Sequence, residues 1–189
     1  MIVMDPSLLN GKKVIGAQGS IMGVVEGVDV DLNTWCASTL YVSLNDQAAA
    51  GFELKKPFMS KITVCLPTKS VKAIGDVITL SEPLFNLDSL AEQCIVNPPN
   101  LKGKKVMGVK GYIVGDVEAI DIEPDNWQVT ALQVSLTKDA AQELGFSKTF
   151  LRKAIIAIPI KIVNSVGNTV LINEAIQDLK ELIKNLESS

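Results

Sequence analysis

A chain of 189 residues, 47% hydrophobic and 21% charged, has the composition of a globular protein and not of a disordered one. Its formal charge is −3, with 7 basic and 10 acidic residues up to Asn97 and 11 of each beyond it, so neither half offers a phosphate-binding face and no nucleic acid is expected as a partner. The amino terminus lacks a charged region followed by an apolar one, and the most apolar run, 154–160, falls far short of the roughly 20 residues a bilayer span needs, so a cytoplasmic protein without direct membrane insertion is expected.

In chain order, Leu9-Asn10-Gly11-Lys12-Lys13-Val14-Ile15-Gly16 leads into a stretch punctuated by Gly19, Gly23 and Gly27. Strand glycines permit bulges and tight bends, as a small barrel needs. Val28, Val30 and Leu32 alternate with Asp29 and Asp31, and Leu40, Val42 and Leu44 alternate with Tyr41 and Ser43. That period of two predicts half-buried strands. A short helix is expected over 45–50, capped by Asn45 and stopped by Gly51. The β-branched run Ile62-Thr63-Val64-Cys65-Leu66 closes at Pro67, and Gly75-Asp76 is turn chemistry before a strand over Val77–Leu80. The connector from Pro83 to Asn100 carries a predicted helix over 87–94 and a stiff Asn97-Pro98-Pro99-Asn100 spacer.

Shifted by 92 residues, the chain then repeats itself. Leu101-Lys102-Gly103-Lys104-Lys105-Val106-Met107-Gly108 matches the first motif, and Gly111, Gly115, Val117, Glu118, Asp121 and Trp127 match Gly19, Gly23, Val25, Glu26, Asp29 and Trp35. Leu132, Val134 and Leu136 alternate as their counterparts do, Thr137 and Gly145 bracket a second helix, and Ile155-Ile156-Ala157-Ile158 ends at Pro159. Gly167-Asn168 forms the second turn, before a strand over Thr169–Ile172. The expected architecture is mainly β, with two tandem small barrels that each carry a short helix. The first barrel is expected over 1–83, a linker with a short helix over 84–100, the second barrel over 101–173, and an amphipathic helix over 174–189. Gly16, Gly23, Gly75, Gly108, Gly115 and Gly167 are read as structural turns.

The carboxy-terminal stripe of Ile176, Leu179, Leu182, Ile183 and Leu186 has helical spacing. It can pack on its own barrel or serve partner binding and self-association, and the larger weight falls on the first. Trp35 and Trp127 are further partner candidates, with core or rim packing the plainer reading. Catalytic signals are missing from the sequence. It holds no histidine, no strand-borne dinucleotide or P-loop glycine motif and no nucleophile elbow. Glu26, Asp29 and Asp31 recur as Glu118, Asp121 and Glu123, and a solvated exterior accounts for them. Cys36, Cys65 and Cys94 are too far apart for a zinc site and are read as buried, reduced thiols. No enzyme activity, catalytic residue, cofactor or metal is expected.

The repeated Leu-x-Gly-Lys-Lys-Val-x-Gly pattern, followed in the first copy by Gly23-Val24-Val25-Glu26, resembles the PRC-barrel family, and the resemblance spans about residues 8–81 and 100–173. It implies a binding module. Among PRC-barrel proteins, a double barrel without a membrane span is most similar to archaeal cell-division proteins of the CdpB type. That similarity implies a scaffold that forms homo- or hetero-oligomers and engages a SepF-like protein, and through it the FtsZ ring, at the division site. The alternative it implies is a ribosome- or RNA-processing adaptor.

Overall fold

The computed structural model describes residues 9–51, 61–82, 92–93, 101–146 and 153–187. The chain divides into two compact units, one of Met1–Pro99 with Ile122–Gln128, the other of Asn100–Asp121 with Val129–Ser189.

In unit 1, strands β1 (Lys13–Ile15), β2 (Ile21–Asp31) and β3 (Cys36–Leu44) are followed by helix α1 (Asp46–Gly51). Then come β4 (Thr63–Pro67), β5 (Val71–Ile74), β6 (Val77–Leu80) and the two-residue β7 (Glu92–Gln93). The spatial order is β5-β6-β1-β2-β3-β4-β7. Neighbours are antiparallel except β1 and β6, which run parallel. The alternation seen in the sequence becomes an inner face of Val14, Met22, Val25, Leu40, Val42, Val64, Leu66, Ile78 and Leu80, all at most 1% exposed. Burial of this kind is the main favourable term in the fold. Asn45 Oδ1 accepts the Ala48 N–H at 2.7 Å, as an N-cap should.

Two details of unit 1 depart from the sequence-based expectations. Glu92–Gln93 is a strand, not part of a helix, because the outer edge of β4 supplies backbone partners at Val64 and Cys65; the rest of the predicted helix lies outside the described residues. Cys65 points away from the core and is disulfide-bonded, while Cys36 is a half-buried free thiol, which corrects the picture of buried, reduced cysteines.

Unit 2 contains β8 (Lys105–Met107), β9 (Ile113–Ile122) and β10 (Val129–Leu136), helix α2 (Lys138–Leu144), strands β11 (Ile155–Pro159), β12 (Val163–Val166) and β13 (Thr169–Ile172), and helix α3 (Ile176–Glu187). Its order, β11-β10-β9-β8-β13-β12, is that of unit 1 without a counterpart of β7. Each central position of the first core has its partner here: Val106, Val114, Val117, Leu132, Val134, Ile156, Ile158, Val170 and Ile172 are buried.

Helix α2 starts where Thr137 accepts the Ala140 N–H at 3.1 Å and stops at Gly145, whose φ of 87° supplies the left-handed residue of a helix end. Removing that cap by Thr137→Ala is expected to cost unit 2 about 1 kcal/mol in urea unfolding, and an unchanged midpoint would contradict the assignment. Helix α3 packs on α2, with Lys180 Nζ donating to the Glu143 carbonyl at 3.2 Å. No helix among the described residues is long and apolar enough to cross a membrane.

Candidate docking surfaces

Catalysis needs convergent polar groups, and the sequence candidates do not converge. Glu26 faces Lys61 at 3.6 Å, and its repeat counterpart Glu118 faces Lys153 at 3.9 Å; both are exposed ion pairs of small energetic weight. Asp31 caps its own turn by accepting the Asn33 N–H at 2.8 Å, and that bond holds its carboxyl below the usual range. Asp121 accepts from the Gln133 side chain at 2.5 Å, and Glu123 accepts from Asn126 at 2.8 Å. Among the described residues, no group of three potential ligands surrounds a metal position.

Asp29 is the exception to this satisfied pattern. Its Oδ1 is buried without a hydrogen-bond partner. Tyr41, which stands where Gln133 stands in the other unit, is 9% exposed, and its phenol is pushed above its ordinary value of 10.0 by burial and then by the Asp29 charge. A raised acid means the folded state holds that proton more tightly than the unfolded one. The associated stability is complete below pH 10 and falls as pH rises beyond it. Tyr41→Phe is therefore expected to flatten the alkaline limb of a stability–pH curve relative to the parent chain. Superimposable limbs would show that this phenol is not what is being titrated.

Ile176 and Leu179 are buried, and Leu182 and Ile183 are half-buried on α3; the side chain of Leu186 lies outside the described residues. Trp35 is half-buried and Trp127 is 8% exposed. Both adopt left-handed backbone, with φ of 52° and 62°, an uncommon conformation for a large aromatic residue. Within unit 1, the Trp127 carbonyl accepts the Ala37 N–H at 2.8 Å, and Gln128 Nε2 donates to the carbonyls of Thr34 and Trp35. Gly75 and Gly167 occupy hairpin turns, and Gly16 and Gly108 lie just beyond β1 and β8. Gly23 and Gly115 are not turn residues. They lie inside β2 and β9, where a neighbouring strand leaves no room for a side chain.

Sequence reasoning missed the outward apolar rows. In unit 2 the ladder aligns Ile113 with Met107 and Met107 with Leu171. Paired residues share a face, so the three side chains form one outward row. Ile113 is 41% and Leu171 38% exposed, and Val109, in the turn beyond β8, is 43% exposed. In unit 1 the same register aligns Ile21, Ile15 and Thr79, with Ile21 46% exposed. Two steps along β1 and β8 the faces diverge. Lys105 pairs with Asp116 at 3.4 Å, whereas Lys13 stands opposite Val24 with no ion-pair partner among the described residues. A period-of-two reading finds the inner face, but it gives no measure of how many outer apolar residues line up across strands.

Residues 97–178 match the PRC-barrel domain family. The PRC-barrel match thus takes in all of β8 to β13, including Met107, Ile113 and Leu171. No curated protein matches the chain. Among solved structures, the chain is similar to a 16S ribosomal RNA processing protein, RimM, from Pseudomonas aeruginosa, at 12% identity and a TM-score of 0.27, over 84% of this chain and 98% of that one.

Proposed function

We propose that the chain is a non-enzymatic, protein-binding adaptor whose two units each present an outward apolar row to a partner. The observation that carries this reading is the recurrence of that row at equivalent positions, Ile15 and Ile21 in one unit and Met107 and Ile113 in the other. Large side chains left outside at matching register in both copies suit docking, since an isolated exposed apolar residue needs no explanation but an aligned row does. Two linked docking faces raise the effective concentration of a second contact once the first is made. The faces also differ in charge. The unit 1 face, with Lys13 beside Ile15, favours a partner surface with a carboxylate, and the unit 2 face, with its Lys105–Asp116 pair, favours a neutral one.

The finer reading follows from the resemblance to CdpB-type proteins. In it the partner is a SepF-like division protein, the site of action is the cytoplasmic division site, and the FtsZ ring is reached through that partner. The test is native purification from the source cells with mass spectrometry, alongside septum imaging in a deletion strain. Recovery of a division protein with altered septa is the expected result. Salt-sensitive RNA in place of protein would instead favour an RNA-processing adaptor, and normal septa with no division protein recovered would remove the division role.

A further inference from the structure

The two units differ at one sheet edge. In unit 1 the outer edge of β4 is covered by β7, with Cys65 opposite Glu92 and Val64 opposite Gln93. In unit 2 the equivalent strand, β11, ends its sheet, and no strand pairs with its outer side among the described residues. The ladder shows which groups face outward there. Leu136 N–H donates to the Ala154 carbonyl at 2.8 Å, and antiparallel alternation then turns the backbone groups of Ile156 and Ile158 toward β10 and those of Ile155, Ala157 and Pro159 away from it. The same alternation in unit 1, set by Leu44 N–H on the Ile62 carbonyl, turns Cys65 toward β7.

We propose that the outer edge of β11, unpaired among the described residues, is a strand-addition site for a short extended segment of a partner protein that carries a carboxylate opposite Ala157. Strand addition needs an accessible edge with regularly spaced donors and acceptors. The N–H and carbonyl of Ile155 and Ala157 supply them, and the exposed Ile155 side chain, 48% accessible, gives an apolar contact beside them. Pro159 has no N–H, so the ladder stops there and the segment must be short. Unit 1 shows what such an edge accepts. Lys61 and Lys69 flank β4 as Lys153 and Lys161 flank β11, all four exposed, and the strand seated on β4 brings Glu92 opposite Cys65. At β11 the exposed Lys161, and Lys153 in its weak, exposed pair with Glu118 at 3.9 Å, give a carboxylate on an added strand a favourable charge. This inference deepens the adaptor reading by naming the recognition mode of unit 2, and it is separate from the apolar rows.

The probe is a synthetic peptide with the sequence of residues 88–96 and serine in place of Cys94, titrated into the full isotopically labelled chain. Peptide binding is expected to shift the Ile155 and Ala157 amides and to slow their hydrogen exchange about tenfold at saturation. An otherwise identical peptide N-methylated at its glutamate cannot complete the ladder and is expected to lose that protection, as is a peptide with lysine at that position. These controls leave the protein unaltered, so no folding defect can imitate them. In the protein itself, Ala157→Pro removes an outward N–H that β10 does not use, with the Val134 amide reporting that the sheet persists. Shifts confined to β4, meaning exchange with β7, or no shift at either edge, would overturn the proposal. So would Ile155 and Ala157 amides already protected in the free chain in a concentration-dependent way, which would mean that copies pair with each other. In any of those cases a partner still bound through Ile113 or Ile21 would leave the adaptor reading standing.

Discussion

Gly115→Ala is expected to lose at least about 3 kcal/mol of unit 2 stability, the upper end of what overpacking costs. A Cβ built on Gly115 would stand 2.1 Å from the Ser135 carbonyl oxygen and 2.8 Å from its carbon. Both atoms are backbone, so no side-chain rotation relieves the clash, and β9 must move away from β10. Gly23 is the equivalent position, 2.0 Å from the Ser43 oxygen, so Gly23→Ala should do the same to unit 1. Gly167→Ala is the control, because nothing lies within 4 Å of its added methyl and its φ is ordinary; it should stay within about 0.5 kcal/mol of the parent. Hydrogen exchange at the Val106 and Val14 amides reports the two units separately. The sheet-crossing explanation fails if Gly115→Ala protects Val106 as well as the parent chain does, or if Gly167→Ala is equally damaging.

These two glycines also show where the sequence was legible and where it was not. Their recurrence at a spacing of 92 was visible and pointed to a backbone need, but turn and close approach leave the same mark in a sequence. Only the register of β2 with β3, Gly23 opposite Leu44, tells them apart. The inner faces were legible because alternation is a local property: Leu40, Val42 and Leu44 announce their strand unaided. The caps at Asn45 and Thr137 were legible for the same reason. Non-local pairing was not. Glu92–Gln93 lies in a stretch whose local spacing suits a helix, and β4, 27 residues away at the Cys65–Glu92 pair, decides otherwise. The docking rows were hidden likewise, since Met107, Ile113 and Leu171 are far apart in the chain and meet only through the ladder.

Replacing both Ile113 and Leu171 with aspartate should weaken partner binding through unit 2 by more than about tenfold while leaving the fold intact, because a few central apolar residues carry most of an interface's energy. The two residues flank Met107 in one row and are 41% and 38% exposed, so in the free chain their replacements remain in contact with water. Surface changes of this kind ordinarily stay within about 0.5 kcal/mol. In a complex the same carboxylates would be desolvated against an apolar surface, which is costly without a compensating partner. The divergence between a small stability effect and a large binding effect is what separates a docking row from a structural one. Ile21→Asp tests the corresponding row of unit 1, where the outcome depends on charge as well. A new carboxylate near Lys13 would remove the positive character of that face, so a partner bound there through its own carboxylate should lose both affinity and much of its salt dependence. Binding of the purified partner measured by calorimetry at two ionic strengths, with melting curves on the same samples, checks both. Aspartate variants that bind as the parent does would rule the rows out as docking surfaces, and variants that melt early would show that these side chains hold the sheet together instead.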